Sequence, residues 1–264
     1  MQFADYKSLT FQRRARVLEI TMNRPGKLNA VDELMHAELA RVFVDVSNDP
    51  DCDVAVLTGA GRAFSSGGDI DWMQKMIDHP ASFEKTAREG KQIIFSLLDC
   101  EKPIIAKMNG HATGLGATIA LFCDVIFAVD TAKIGDPHVS VGFVAGDGGA
   151  VIWPQLIGYA RAKEYLMTGD LLGAVDAARI GLINHAVPAS ELDARVNQFA
   201  DRLAHGATKA IRWSKLSANI GLKQLAHSIM DASLAYEAMS NVTRDHQEAV
   251  NAFREKRQPK FEGH

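Results

Sequence analysis

Cysteine is scarce. The 264-residue chain has three, Cys52, Cys100 and Cys123. They are scattered, odd in number and in no CxxC or Cys/His spacing, so neither a disulfide framework nor a zinc site is expected. An excess of basic charge is also missing. Lys plus Arg is 29 against 32 Asp plus Glu, a net of −3, which argues against a general nucleic-acid binder. No apolar run reaches membrane-spanning length; the most apolar stretch, Ala117 to Val129, is short and broken by Asp124. The opening MQFADYKSLTFQRRARV has no apolar segment of the secretory type. These absences predict a soluble, cytoplasmic protein with neither a nucleic-acid nor a membrane partner. The apolar share of 47% and charged share of 23% are those of a globular chain long enough to bury a sizeable core.

The first half alternates between strand and helix patterns. Val17–Met22 (VLEITM), Val54–Thr58 (VAVLT), Ile104–Met108 and Val125–Val129 read as short buried strands. Between them, Asp32–Ser47 and Ala81–Cys100 carry apolar residues at helical spacing, and an apolar helix leads to Cys123. This repetition predicts an α/β core. After Gly158 the pattern becomes helical: Arg161–Thr168, Ala174–Ile180, Ser190–His205, Leu222–Ala238 and Thr243–Lys256. No Gly/Ser/Pro-rich linker intervenes. The division expected is a core over residues 1–200 and a helical region over 201–264.

Two glycine loops invite chemistry. Gly59–Asp69 (GAGRAFSSGGD) follows a strand and precedes a helix expected at Ile70–Ile77, and Gly110–Gly116 (GHATGLG) follows the strand at 104–108. Two such loops can aim two backbone N–H groups at one oxygen, as in an oxyanion hole. Each alone is equally what a tight turn looks like. A third segment, GDPHVSVGFVAGDGGAVIWP, holds His138 and, nine residues on, Asp147 just before an apolar helix. An acid there is also what a helix N-terminus favours. A carboxylate orienting an imidazole is a common general-base arrangement, and an imidazole near its ordinary pKa of about 6.5 suits proton transfer at neutral pH. His111 is a weaker candidate beside the second loop. His36, His185, His205, His227 and Asp124 read as structural, and no cluster has metal-ligand spacing.

Together the stretches NRPGKLNAV (Asn23–Val31), GRAFSSGGDI (Gly61–Ile70), KPIIAKMNGHATGLGATIA (Lys102–Ala120), Cys123–Asp124, Gly135–Gly149 and AFREKRQPKFEG (Ala252–Gly263) resemble the crotonase, or enoyl-CoA hydratase/isomerase, superfamily over essentially the whole chain. The resemblance implies an α/β fold, a crotonase-like spiral of ββα repeats, with a helical C-terminal region that packs in a homotrimer or a homohexamer built as a dimer of trimers. It implies an acyl-CoA thioester as substrate, with coenzyme A as part of that substrate and no metal or redox cofactor. The oxyanion donors fall on the N–H groups of Gly68 and Leu115. The CoA contacts fall on Ser66, Asp69 and Ile70, with Phe253 and Lys256 matching a neighbouring subunit's contribution.

The chain departs from the hydratase pattern at its acid/base groups. Thr118 and His138 stand where a proficient hydratase carries two glutamates, so the two-glutamate route to water addition is not expected. His138 with Asp147, followed by Trp153-Pro154, also resembles the β-diketone hydrolase branch, which cleaves carbon–carbon bonds. That branch has a histidine where this chain has Leu115. The leading expectation is an acyl-CoA enzyme with His138 as base, oriented by Asp147. The alternatives are a C–C bond hydrolase and a non-catalytic CoA-binding member. Met73, Met76, Ile77 and the Phe83 helix are expected to wall the acyl pocket.

Overall fold

In the computed structural model, which describes residues 3–264, the chain opens with an antiparallel pair, β1 (Leu9–Arg14) and β2 (Val17–Met22). Helix α1 (Glu33–Asn48) follows, its N-terminus capped by Asp32, whose side chain accepts a hydrogen bond from the Met35 N–H. A strand, a shorter strand and a helical segment then recur three times. The first unit is β3 (Val54–Gly59), β4 (Ala63–Ser65), α2 (Ile70–Asp78) and α3 (Phe83–Asp99). The second is β5 (Ile104–Met108), β6 (His111–Thr113) and α4 (Leu115–Phe122). The third is β7 (Val125–Val129), β8 (Lys133–Gly135) and α5 (Gly149–Thr168). Then come β9 (Leu172–Gly173), α6 (Ala174–Arg179), β10 (His185–Val187), α7 (Leu192–Ala204), α8 (Thr208–Asn241) and α9 (Arg244–Glu255).

The longer strands form one sheet in the order β1-β2-β3-β5-β7-β10, parallel from β2 onward. The short ones form a second sheet, β4-β6-β8-β9. Each turn of the chain thus adds one strand to each sheet and returns through helix, the ββα spiral expected. β3 is buried along its whole length and β5 nearly so, because α7 crosses the six-stranded sheet on one side and the short-strand sheet and helices fill the other. That is why these segments are continuous apolar runs rather than alternating ones.

Buried polar groups fix the frame. Glu38 accepts from the N–H groups of Lys7, Ser8 and Leu9 at 2.6, 2.9 and 3.1 Å, holding the N-terminal strand to α1. Asp124 accepts from the Ile104 N–H at 2.7 Å and pairs with Lys215 at 2.8 Å, the structural role expected of it.

Some elements differ from the sequence reading. Arg161–Thr168 is the second part of α5, separated from the first by Gly158 at φ +78°. Leu222–Ala238 is the middle of α8, a helix of 34 residues. α8 packs on α3 and α5, and α9 packs on α2 and on the 3-10 turn His138–Val141, so the C-terminal helices cover the core of their own chain.

Candidate active site

Between β4 and α2 the chain turns through Ser66, Gly67 and Gly68 before Asp69 caps α2, accepting from the Asp71 N–H at 2.9 Å. The turn is pinned from both sides of Gly68. Val31 donates its N–H to the Gly67 carbonyl at 2.7 Å and accepts from the Asp69 N–H at 2.9 Å. Gly67 has φ +83°, and a Cβ there would lie 2.8 Å from the Thr113 carbonyl oxygen in the second loop. Gly116 is equally confined, since its Cβ would lie 2.6 Å from that of Ser65. The two loops therefore touch backbone to backbone. The N–H of Gly68 and the N–H of Leu115, at the start of α4, have no acceptor among the described residues. They remain free to donate outward, as an oxyanion site requires.

His138 opens a 3-10 turn that follows β8, and its ring lies against Gly114, where a Cβ would be 3.5 Å from Cε1. Its Nδ1–H donates to Asp136 Oδ1, and Asp136 is fully buried. Asp147 lies on the other side of the ring, its Oδ2 3.7 Å from Nε2, while Thr118 Oγ1 donates to its Oδ1 at 3.2 Å. The expectation that Asp147 orients the imidazole is corrected by this geometry. Asp136 fixes the ring and its tautomer, and Asp147 faces Nε2. One acceptor or donor atom each of Asp136, His138 and Asp147 lies within 4.8 Å of the others. The Nδ1–H of His138 is taken up by Asp136, which leaves Nε2 and Asp147 facing each other.

The electrostatics follow from burial and charge. Burial alone would lower the pKa of His138, but the carboxylates of Asp136 and Asp147 outweigh it and raise the pKa to about 10. The ordinary imidazole value expected from the sequence therefore does not hold. Burial likewise raises the pKa of Asp147, against the pull of the His138 charge. Glu237, reaching in from α8, is raised well above the usual carboxyl range by burial and by the charge of Asp147.

Two chambers meet at His138. The outer groove, about 550 Å³, is bounded by Leu28, Ser66, Asp69, Ile70, Val141 and Phe253 among others. An inner chamber of about 40 Å³ lies behind it, and Gly68, Met73 and His138 border both. Leu115 and Asp147 border the inner one, as do Met76 and Phe83, two of the wall residues expected; Ile77 does not. Ser66, Asp69 and Ile70 thus line one groove with Gly67, Gly68 and Gly114 of the two glycine loops. The Ser66 and Asp69 N–H groups are already bonded to the Leu28 and Val31 carbonyls, and the Asp69 carboxylate pairs with Arg24 at 3.1 Å. Phe253 edges its own chain's groove, whereas the resemblance had placed it at a neighbour's. Lys256 lies outside the groove, an exposed residue ending α9 in the left-handed conformation. His111 is exposed and its Nδ1 accepts from the Lys133 N–H at 2.9 Å, a structural contact away from the chambers.

Sequence reading passed over Asp136 and Glu237. The Asp-Pro-His spacing was a usable signal for the first, because an Asx side chain two residues before a turn commonly folds back onto it. Glu237 lies 99 positions beyond His138 on a largely exposed helix, and nothing local marks it.

A family model for enoyl-CoA hydratase/isomerase proteins matches residues 12–264. The chain is 32% identical over 257 residues to a crotonyl-CoA hydratase of Syntrophomonas wolfei, covering 97% of this chain and 98% of that protein. The crystal structure of an enoyl-CoA hydratase/isomerase from Mycobacterium paratuberculosis superimposes with a TM-score of 0.88 at 35% identity, covering 94% of this chain and 99% of that one. A beta-diketone hydrolase from the cyanobacterium Anabaena superimposes with a TM-score of 0.85 at 31% identity, covering 91% of this chain and 96% of that one.

Proposed function

The chain belongs to the enoyl-CoA hydratase/isomerase family, and from that premise we propose that it generates and resolves a thioester enolate of an acyl-CoA, with His138 and Asp147 as its proton carriers. The observation that carries this reading is the junction of the two chambers. Two unbonded N–H groups, Gly68 and Leu115, belong to loops in contact there, and a buried imidazole–carboxylate pair stands beside them. A thioester in the outer groove places its carbonyl oxygen on the N–H pair and its acyl group in the inner chamber. Negative charge then develops on that oxygen in the transition state, where one preorganised donor is worth about 3–4 kcal/mol.

The proton inventory assigns the roles. At neutral pH the raised pKa of His138 keeps Nε2 protonated, so Asp147 is the carboxylate of the pair. For water addition to an enoyl thioester, Asp147 takes a proton from water as its oxygen bonds to the β-carbon. The electron pair of the double bond moves into the enolate, and His138 delivers the proton to the α-carbon. Transfer of the proton from Asp147 to Nε2 restores the pair. Thr118 supports the carboxylate by its hydrogen bond and moves no proton itself. Coenzyme A enters only as part of the substrate, and no metal or redox cofactor takes part in these steps.

A second reading has its own support in the likeness to the Anabaena β-diketone hydrolase. There the same pair directs water onto a ketone carbonyl, the adjacent carbon–carbon bond breaks, and its electrons enter an enolate held by Gly68 and Leu115 before protonation on carbon. Association of three or six copies is in keeping with the exposed Trp213, Ile220, Tyr236 and Met239 on α8.

The test is conversion of crotonyl-CoA, followed by loss of the conjugated thioester absorbance, with His138→Ala and Asp147→Asn alongside. Hydration lost in both variants supports the first reading. CoA binding without hydration, together with cleavage of a cyclic β-diketone, supports the second. Wild-type turnover in His138→Ala refutes both.

A further inference from the structure

The inner chamber is not a plain hydrocarbon pocket. Trp72, Met76, Phe83, Phe143 and Leu234 supply apolar walls, yet His36 and Glu237 also border it, and neither has a part in the chemistry above. His36, on α1, is buried at 3% exposure; its Nδ1–H donates to Glu89 at 2.9 Å and its ring leans on Trp72 with centroids 5.0 Å apart. Glu89 therefore sets the tautomer and leaves Nε2 for another partner. Gly90, on α3, faces that nitrogen without a side chain; a Cβ there would lie 3.9 Å from Nε2. Glu237 is buried at 6% exposure, and its Oε2 has no hydrogen-bond partner among the described residues. Gly146 makes room for it, since a Cβ there would lie 2.7 Å from Oε2.

An unpaired buried carboxyl is costly to a fold unless something satisfies it. A hydrocarbon acyl chain satisfies neither group. A ketone oxygen accepts the O–H of a neutral Glu237, and a hydroxyl donates to His36 Nε2. The space, about 40 Å³, holds on the order of three water-sized groups, so the acyl group is short. We propose that the inner chamber is a subsite for a short acyl group bearing a ketone or hydroxyl oxygen beyond the β-carbon, with Glu237 and His36 as the residues that read it. This rests on the acyl-CoA reading above and names its substrate class.

The experiment is calorimetric binding of thioesters that cannot undergo water addition: pentanoyl-CoA against 4-oxopentanoyl-CoA, and hexanoyl-CoA against 5-oxohexanoyl-CoA and 5-hydroxyhexanoyl-CoA. At least one oxygenated ligand is expected to bind tenfold or more tightly than its parent. Glu237→Leu is expected to remove the ketone preference and His36→Leu the hydroxyl preference, each leaving parent affinity within threefold, while Glu237→Gln retains part of the ketone preference. Equal affinity for oxygenated and parent ligands in the unaltered protein overturns the inference without touching the acyl-CoA reading. A preference that survives both leucine variants also overturns it. Failure of every thioester to bind overturns the acyl-CoA reading and the inference with it.

Discussion

Asp136→Asn separates the two carboxylates that flank His138. Asp136 is fully buried and accepts the Nδ1–H, and its charge is the largest influence raising the imidazole pKa to about 10. Relative to an ordinary value near 6.5, that corresponds to roughly 5 kcal/mol in favour of the charged ring, an order-of-magnitude figure. Asparagine keeps the shape and removes the charge, and it leaves Asp147 as the remaining anion. About half the effect should go, moving the His138 titration midpoint down by about two pH units. The amide can also present N–H₂ to Nδ1 and favour the wrong tautomer, so kcat should fall by about 10²–10⁴. The linkage sign is that of a raised histidine. Its stabilising contribution is complete below about 6.5 and is lost as pH rises through about 10, so Asp136→Asn should flatten the alkaline fall in stability. Proton–nitrogen NMR of ¹⁵N-histidine-labelled protein reads the titration, and stopped-flow or steady-state rates across pH read the catalysis. A wild-type His138 that titrates near 6.5, or a midpoint unchanged in the variant, would refute the reasoning.

Three further outcomes follow from the same geometry. Gly116→Ala should cost about 1–3 kcal/mol by overpacking and lower kcat by spreading the two glycine loops that carry the proposed N–H donors, because its Cβ would meet Ser65 at 2.6 Å; thermal melts and rates check both. Thr118→Val removes the 3.2 Å hydrogen bond to Asp147 and should lower kcat about tenfold while moving the acid limb of the rate profile to higher pH, since the carboxylate loses a donor. Glu38→Ala leaves the N–H groups of Lys7, Ser8 and Leu9 without their shared acceptor and should cost about 3 kcal/mol in urea unfolding, with kcat unaffected in the folded protein.

The legible parts of the fold were those where burial writes itself into composition. VLEITM, VAVLT, IIAKM and VIFAV are strands covered on both faces or nearly so, and each was readable to within a residue. β1 was not, because LTFQRR is half polar and largely exposed. β4, β6 and β8 have three residues each and are embedded in glycine loops, so no period can develop in them. The first part of α8 carries exposed residues such as Trp213 and Ile220 among polar ones, and its helix extends well past the apolar stripe that announced it. At the site, His138 and Asp147 were conspicuous because they lie among glycines. Their division of labour was hidden, since it depends on Asp136 folding back under the ring, and the chamber's buried acid was hidden because Glu237 arrives from a distant helix. Side-chain direction decides both, and residue spacing does not encode it.

The central claim is that His138 moves a proton at a carbon made acidic by the Gly68 and Leu115 N–H groups. The most direct measurement is exchange of the α-hydrogens of butyryl-CoA with deuterium oxide, followed by proton NMR, for the unaltered protein and His138→Ala. The account predicts exchange by the unaltered protein and none above background in the variant, with butyryl-CoA binding kept. Bound butyryl-CoA with no exchange in the unaltered protein, or undiminished exchange in His138→Ala, would contradict it.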